Sequence, residues 1–515
     1  MLGSSEPDKG AVAVRSSRGR ELGVTAESSS RLGARFLVGV AIIAVLSAAA
    51  VARLWPLLHG QPGGLYHDEA AEGLSAIRIL SDSSYRPVFI DENGGREALF
   101  AYLVAVAFHF TAPSVTALRA TSALVGVAGI VAAWPLLRRF GTWVAVVGIA
   151  WMAGSPWLIA TSDLGLRNGL TVPFASLAAV ALLAWADRPQ RRFAFIAGFA
   201  VGAGLWTYQP LKLTPLLVLA WLWWLRRRDR QLYDRLWAGR RWVLFGYALA
   251  AAPYIWTAAT DTLLYFGRAA EVSPFNPPML RGDVLSHTLQ TMGMFFVAGD
   301  PNPRHDVSAL PVFLWPLPVF AAVGLWRLIR DRAKPASSLA LGGLVIFMLP
   351  PLLALQGGVP HLQRALGLAP LVALLVGLGV AEVVRSARRI ARPLAMATGA
   401  ASAGAILLTA AYGGWAFATR PVTDRYDAFE LRATALAAAG AQPRTAVIVN
   451  PAEAQIVRFL DGSTIPILTR GQSPPAGFGV AALWIDDFPA ALRSSAVVYE
   501  RDPGGHPTVW VVAPP

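Results

Sequence analysis

The chain has 515 residues, of which 55% are hydrophobic and 15% charged, and it contains no cysteine. This composition excludes an ordinary soluble globule, and the missing thiols exclude disulfides and thiolate metal sites. The formal net charge of +14 raises the question of nucleic-acid binding, but the basic residues lie mainly in short loops between apolar runs. That distribution indicates membrane orientation, so no nucleic-acid partner is predicted.

Apolar runs of membrane-spanning length repeat through residues 35–413, and the lipid bilayer is therefore the first predicted partner. Residues 1–34 are rich in Ser, Gly, Arg and Glu and are predicted to form a disordered cytoplasmic tail. With the N-terminus on the cytoplasmic side, about eleven transmembrane helices are predicted near residues 36–57, 117–137, 142–161, 170–186, 193–208, 211–225, 242–260, 309–329, 337–355, 365–383 and 393–413.

The loops that this topology delivers to the cytoplasm are all basic, as the positive-inside rule requires. They are residues 138–139, 187–192, 226–241, 330–334 and 385–392. The apolar run 98–111 is too short to span and is predicted to be a re-entrant or interfacial helix. Two long external loops follow from this assignment, at residues 59–115 and 261–308.

Residues 414–515 read differently from the rest of the chain. Short β-like runs alternate with one helical stretch near residues 452–460; they lie at 445–449, 464–468, 480–485 and 508–512. The predicted fold class is therefore an α-helical polytopic membrane protein of about eleven helices with a small exoplasmic C-terminal α/β domain.

The first external loop opens with the sequence Tyr66-His67-Asp68-Glu69-Ala70-Ala71-Glu72, directly after the first helix. An Asp at this place is either a helix cap or a general base that an acceptor hydroxyl can approach. Glu69 is predicted either to orient Asp68 or to face water. Asp68 and Glu69 are the catalytic candidates.

An acid-rich turn, Asp91-Glu92-Asn93-Gly94-Gly95-Arg96-Glu97, leads into the short apolar helix. Guanidinium geometry suits phosphate oxygens, so Arg96 is a candidate phosphate ligand, with lipid headgroups as the alternative contact. Further polar residues recur at the external helix ends and form the wider candidate set: Glu97, Asp163, Arg167, Tyr208, Lys212, Asp300, Arg304, His305, His361 and Arg364. Charges at such depth are costly unless partnered or functional.

The order of these features resembles the membrane glycosyltransferases of the C fold, a group that includes protein O-mannosyltransferases of glycosyltransferase family 39 and the lipid A aminoarabinose transferases. The resemblance covers roughly residues 35–392. It is carried by Asp68-Glu69, Arg96-Glu97-Ala98-Leu99, Arg119, Ser155-Pro156-Trp157 with residues 162–167, Thr207-Tyr208-Gln209-Pro210, residues 299–305 and residues 361–370.

The resemblance implies a sugar donor carried on a polyprenyl phosphate, an external active site and inversion at the anomeric carbon. Asp68 matches the position of the family's catalytic base, and Arg96 that of a basic residue near the donor phosphate. Arg304, His305 and Arg364 are similar to polar residues that such enzymes bring over the donor, and Lys212 and His361 complete the predicted donor set.

The chain departs from the family where O-mannosyltransferases place an acid after the third crossing. Arg167 and Asn168 stand there, with Asp163 slightly earlier. No metal site and no cofactor are predicted for this reason, although a divalent metal stays open because some relatives with paired acids use one.

The chief alternative function is a transporter or flippase for lipid-linked glycans, which should place its ionisable groups near the bilayer midplane. An assembly or sensor protein built around residues 414–515 is a second alternative. The sugar and the acceptor, whether protein, lipid or polysaccharide, stay open. The predicted location is a plasma (inner) membrane of a bacterium, with the C-terminal domain exoplasmic.

Overall fold

The structure is a computed structural model that describes residues 33, 36–60, 63–91, 95–273, 284–354, 358–419, 428–462 and 464–514. It forms two compact units, residues 1–47 and 48–515. Apart from Gly33, the predicted disordered tail lies outside the described residues.

Twenty helices and seven strands organise the described residues. The helices are α1 (Phe36–Leu58), α2 (His67–Ser81), α3 (Leu99–Phe110), α4 (Val115–Arg138), α5 (Thr142–Gly154), α6 (Pro156–Asp163), α7 (Thr171–Asp187), α8 (Arg191–Ala203), α9 (Thr214–Arg228), α10 (Arg230–Ala238), α11 (Arg240–Thr260), α12 (Thr262–Val272), α13 (Val284–Gly293), α14 (Leu317–Arg330), α15 (Pro335–Ile346), α16 (Leu349–Leu353), α17 (Ala369–Ile390), α18 (Arg392–Ala418), α19 (Leu431–Gly440) and α20 (Pro451–Asp461). The strands are β1 (Phe89–Ile90), β2 (Arg96–Glu97), β3 (Thr445–Ile448), β4 (Ile467–Leu468), β5 (Gly479–Ala482), β6 (Val497–Arg501) and β7 (Pro507–Val512).

The chain is a multi-pass membrane protein. Its described residues hold seven helices that are long and apolar enough to cross a membrane, or eight if α5 and α6, bent by 54°, form one span. Eight of the predicted spans correspond to these helices. The other three correspond to α8, α9 and α14, which have only 13, 15 and 14 residues. The 3-10 turns Gly204–Trp206 and Gln209–Leu213 shorten α8 and α9, because Pro210 and the glycine-rich sequence before it interrupt a continuous α-helix.

Glycines bring the short helices into close contact with long ones. A Cβ built on Gly198 of α8 would lie 1.9 Å from the carbonyl oxygen of Val243 on α11. A Cβ on Gly379 of α17 would lie 1.8 Å from the carbonyl oxygen of Phe320 on α14. Small residues that let helix backbones approach are the usual packing device between membrane helices, so α8 and α14 are integral parts of the bundle.

The first external loop is ordered around two helices and a hairpin. The predicted short apolar helix is observed as the 12-residue α3. Strands β1 and β2 pair antiparallel, with Ile90 opposite Arg96 and Phe89 opposite Glu97, and so carry two predicted site residues. The apolar faces of α2 and α3 share a core with Phe459 of α20. The second long loop is not irregular throughout, since it contains α12 and α13.

The C-terminal region is a small mixed sheet in the order β4-β3-β5-β7-β6. Strand β3 runs parallel to β4 and β5, whereas β7 is antiparallel to both β5 and β6. The four predicted strands and the predicted helix are all present, but β6 was missed. It is an edge strand whose residues alternate between exposed and half-buried, and it ends in the charged pair Glu500-Arg501. The predicted domain limits stay a prediction, and α18 continues to Ala418.

We expect Gly379→Leu to lower the thermal midpoint of the detergent-purified protein, because the new side chain would force α14 away from α17. Overpacking of this kind costs about 1–3 kcal/mol. The matched control is Gly404→Leu on α18, where a Cβ meets no atom within 4 Å. Equal midpoints for the two variants in a thermal unfolding experiment would contradict the close packing of α14 on α17.

Candidate active site

Asp68 is the second residue of α2 and lies where the first external loop meets the helix bundle. Its side chain is 24% exposed, and it accepts a hydrogen bond from the Tyr66 hydroxyl. The Nε2 atom of His67 lies 3.8 Å from its Oδ1. The residue that caps the start of α2 is Glu69, because its side chain accepts a hydrogen bond from the backbone N–H of Tyr66 at 3.2 Å.

Glu69 is fully buried and therefore does not face water. Arg119 of α4 binds it with two parallel hydrogen bonds of 2.8 Å, and the N–H of Gly165 donates a third at 2.8 Å. Arg119 also donates to the carbonyl of Gly64 at 2.8 Å. These contacts fix the start of α2 on the bundle, and a catalytic part for Glu69 stays a prediction.

Five charged residues beside Asp68 form a connected set, here called the charge network: Glu72, Arg96, Glu97, Arg167 and Lys212. Glu72 Oε1 lies 3.4 Å from both Arg96 Nη1 and Arg167 Nη1. Glu97 lies 3.1 Å from Arg167 Nε and 3.4 Å from Lys212 Nζ. The sequence predicted four of these five residues, and the fold brings all of them together.

The charge network carries three cations and two carboxylates, and the carboxylate of Asp68 acts on Arg167 and Glu72 from beside it. The carboxylates of the network are fully buried and its cations are 0–15% exposed. Burial raises the pKa of Glu72, although Arg96 and Arg167 oppose the rise. Tyr208 belongs to the same region, because the Arg167 guanidinium lies 5.7 Å from its ring centre. Three clustered cations, two of them guanidinium groups, are suited to an anionic ligand.

A second group of predicted residues, here called the loop cluster, combines Asp300, Arg304 and His305 of the second long loop with His361 of the loop after α16. Asp300 Oδ2 accepts from His305 Nδ1 at 2.8 Å and from a backbone N–H of the loop after α16 at 2.9 Å. The rings of His305 and His361 stack at 4.4 Å. The Arg304 guanidinium lies 4.1 Å from the ring centre of Tyr66, which joins the loop cluster to Asp68.

The loop cluster also contains a possible metal-ligand set. One ligand atom from each of Asp300, His305 and His361 lies within 4.8 Å of the others, and all three residues are buried. One carboxylate and two imidazoles are donors that zinc accepts, with the fourth position left to water or substrate. The prediction that the protein uses no metal stays a prediction.

Two predicted residues make their recorded contacts elsewhere. Asp163 is buried and interacts with Arg53 of α1, whose Nε also donates to Ser162 at 3.2 Å. Arg364 donates to the carbonyl of Ala354 at 2.6 Å. These contacts do not join either residue to Asp68.

Sequence reasoning missed several residues that contact the candidate base or its helix. Glu72 follows Asp68 by one helical turn, so helical spacing could have assigned it to the site. Tyr66 and His67 stood in the quoted motif without a role. Glu430, which binds His67, lies 363 residues away and carries no local signal.

The sequence and the architecture match known membrane enzymes. Residues 98–256 match the family described as dolichyl-phosphate-mannose-protein mannosyltransferase. The chain has the C fold of membrane glycosyltransferases. It superposes on ArnT from Cupriavidus metallidurans bound to undecaprenyl phosphate with a TM-score of 0.59 at 14% identity, covering 93% of this chain and 99% of that one.

A second structural match is to a longer protein. The Archaeoglobus fulgidus oligosaccharyltransferase in complex with Zn and sulfate gives a TM-score of 0.52 at 15% identity, covering 83% of this chain and 62% of that one. No curated protein matches the chain by sequence. The family match and the fold confirm the predicted resemblance and, with it, the predicted enzyme class, a membrane glycosyltransferase.

We expect Arg119→Met to destabilise the protein by about 3–5 kcal/mol, because it leaves the buried Glu69 carboxylate without its guanidinium partner. Adding Glu69→Gln should recover part of the loss, since the double variant buries no unpaired charge. Thermal unfolding in detergent measures both effects.

The matched control is Arg139→Met, which breaks a pair with Asp187 whose side chains are 30% and 54% exposed. We expect a change of less than about 1 kcal/mol there. If Arg119→Met unfolds at the same temperature as Arg139→Met, the bidentate pair does not hold α2 in place.

Proposed function

We propose that the protein is an inverting glycosyltransferase that moves a sugar from a polyprenyl-phosphate donor to an acceptor on the exoplasmic face, with Asp68 as general base. The observation that carries the proposal is the difference in exposure among the carboxylates of α2 and β2. Glu69, Glu72 and Glu97 are fully buried, whereas Asp68 is 24% exposed. An acceptor hydroxyl can therefore reach Asp68 and not its neighbours.

The charge network supports binding of the donor phosphate. Arg96, Arg167 and Lys212 are clustered around Glu72 and Glu97, so the phosphodiester of a donor would meet three neighbouring cations. Arg304 adds a further cation beside Tyr66. As the sugar leaves, negative charge grows on the phosphate, and cations fixed by buried pairing can stabilise it without reorganising.

The reaction balances with these groups alone. The acceptor oxygen attacks the anomeric carbon, the acceptor proton goes to Asp68, and the bond between that carbon and the phosphate oxygen breaks. The electron pair leaves with the polyprenyl phosphate, which becomes a monoester dianion. Attack opposite to the leaving group inverts the anomeric configuration.

We infer that the prenyl chain enters at a narrow crevice between α4, α7, α9, α15 and α17, whose helices must separate to admit it, because the crevice volume of about 20 Å³ would hold one water molecule. Its walls are almost wholly apolar, and include Leu136, Leu217, Ala340 and Gly343. At one end it reaches Thr214 and Gly367, each of which follows a predicted phosphate ligand, Lys212 or Arg364, within three residues. ArnT, which shares the fold, is known bound to undecaprenyl phosphate, a lipid of this chemistry.

The topology belongs to the same proposal. We infer that α8, α9 and α14 also cross the membrane, giving eleven crossings, because α8 and α14 pack backbone to backbone on the long helices α11 and α17. The basic loops 138–139, 187–192, 226–241, 330–334 and 385–392 then all face the cytoplasm. Asp68 and the C-terminal domain face the exoplasm of a plasma membrane.

A flippase for lipid-linked glycans is the competing function. Ionisable side chains should then line a path at mid-membrane depth. Along α17, the buried residues from Ala369 to Val380 are all apolar or glycine, and the charge network instead lies on the hairpin and the 3-10 turns. This distribution favours an enzyme.

Replacing Asp68 by Asn should abolish most sugar transfer, because the amide cannot accept the proton of the acceptor. We expect a fall of about 10²- to 10⁴-fold in turnover with donor binding retained. The measurement is transfer of radiolabelled sugar from synthetic polyprenyl-phosphate donors to envelope extracts, with purified protein in nanodiscs.

Asp91→Asn is the matched control, since Asp91 is an exposed residue of the same loop. Undiminished transfer by Asp68→Asn at matched folding would remove Asp68 as the base. Wild-type protein that is inactive with every donor and acceptor, yet moves labelled lipid across proteoliposomes, would establish the flippase instead.

Ala340→Phe should obstruct the apolar crevice. We expect KM for a long-chain donor to rise about tenfold, equivalent to about 1.4 kcal/mol, while KM for a short-chain donor stays close to the wild-type value. Val345→Phe on the same helix is the control, because Val345 is exposed. Equal effects on long and short donors would place the prenyl chain outside this crevice.

A further inference from the structure

The C-terminal domain contacts the catalytic loop directly. The carboxylate of Glu430, the residue before α19, accepts the backbone N–H of His67 at 2.8 Å and lies 2.6 Å from His67 Nδ1. Close by, the N–H of Leu65 donates to the Thr434 hydroxyl at 3.1 Å. The segment that begins α19 is therefore bound to the residues immediately before Asp68.

The backbone at this junction is constrained on both sides. Glu430 has φ +51°, a left-handed conformation that is uncommon for a residue with a side chain. Gly64 has φ +78°, and a Cβ there would lie 2.3 Å from the carbonyl oxygen of Phe429. Strained non-glycine residues persist where the surrounding structure holds them and often occur at functional sites. Here the strain places the Glu430 carboxylate on His67.

The contact with Glu430 also fixes the protonation pattern of the His67 ring. An ionised carboxylate only accepts hydrogen bonds, so Nδ1 carries the proton. When the ring is neutral, the lone pair is then on Nε2, the atom that lies 3.8 Å from Asp68 Oδ1. The side chains of His67, Asp68 and Glu430 are 27%, 24% and 25% exposed, so water can reach all three.

We propose that His67, held by Glu430 of the C-terminal domain, is a positioning residue whose protonated ring keeps Asp68 in its carboxylate form. The inference rests on the proposed function, in which Asp68 is the base. After transfer, the acceptor's proton is on an Asp68 oxygen and leaves to water, which reaches the 24% exposed side chain. The positive charge of His67, whose Nδ1–H is hydrogen-bonded to Glu430, favours that loss.

The charges around His67 agree with this role. Burial acts to lower the pKa of His67, but its hydrogen bond to Glu430 and the charges of Glu430 and Asp68 raise it overall, against a smaller opposing effect of Arg304. The Tyr66 ring also contacts it, with ring centres 4.3 Å apart. A raised pKa keeps His67 cationic over a wider pH range, and that charge favours the carboxylate form of Asp68.

The sign of the expected effect follows from this electrostatic link. Removing the positive charge from His67 makes Asp68 easier to protonate. The acidic limb of the pH profile of kcat/KM should then move to higher pH, by about 0.5–1 unit for a partly exposed pair. His67→Gln removes the charge directly. Glu430→Gln removes the anion that keeps His67 protonated and should act in the same direction.

The experiment compares pH profiles of sugar transfer in nanodiscs for wild type, His67→Gln, Glu430→Gln and Glu430→Asp. The first two variants should show the shifted limb, whereas Glu430→Asp, which keeps the charge, should remain near wild type. Thr434→Val is the matched structural control: it breaks the neighbouring hydrogen bond to Leu65 without altering a titratable group, so its acidic limb should stay in place.

The outcomes separate the two proposals. If His67→Gln and Glu430→Gln lower activity equally at every pH, the junction is only structural and the electrostatic role of His67 is overturned, while Asp68→Asn still decides the base. If wild type transfers no sugar, the proposed function itself fails. Should Glu430→Gln not fold, His67→Gln decides alone, because its amide can still donate to Glu430.

Discussion

Burial of five charged side chains beside the ends of the membrane helices is the constraint on which the rest of the site depends. A single charge taken out of water costs several kcal/mol, so Glu72, Arg96, Glu97, Arg167 and Lys212 are tolerated only as a paired set. Their pairing distances of 3.1–3.4 Å require four segments of the chain to meet. One segment is the helix α2, and local irregularities of the fold supply the other three.

Each irregular element near the site delivers one or two of these charges. The hairpin β1–β2 carries Arg96 and Glu97, the 3-10 turn Arg167–Leu170 begins with Arg167, and the turn Gln209–Leu213 contains Lys212. Non-helical backbone at this depth is acceptable where protein groups surround it. The interruption that shortens α8 and α9 therefore positions Lys212 on a 3-10 turn, from which its ammonium group reaches Glu97.

This relation explains what the sequence could and could not predict. Hydropathy, loop charge and apolar periodicity located eight spans, the 12-residue α3, and α20 with four of the five strands of the C-terminal sheet, but not α19, because each of these signals is local. The other three predicted spans correspond to α8, α9 and α14, which are shorter than predicted. Two of them, α8 and α9, adjoin the 3-10 turns that interrupt the helical pattern, one of which contains Lys212. Sequence reasoning is expected to fail at such positions.

The site residues divide in the same way. Arg96, Glu97, Arg167 and Lys212 could be named because a charge among apolar residues stands out in the sequence. Glu72 lay within the quoted motif but was not distinguished from a solvated residue. Glu430 could not be identified from the sequence, because its partner His67 is 363 residues away and the residues near Glu430 resemble an ordinary polar linker.

The depth of the charges bears on mechanism as well as on stability. A lipid phosphate rests at the headgroup level, so an enzyme that meets it there needs cations at helix ends and an apolar path for the chain, but no polar route across the bilayer. The charge network lies next to Asp68, and the apolar crevice ends beside Lys212 and Arg364. Asp68 and Glu430 are both partly exposed where the first external loop contacts the C-terminal domain. In the proposed reaction the C-terminal domain would therefore border the path of the acceptor to Asp68.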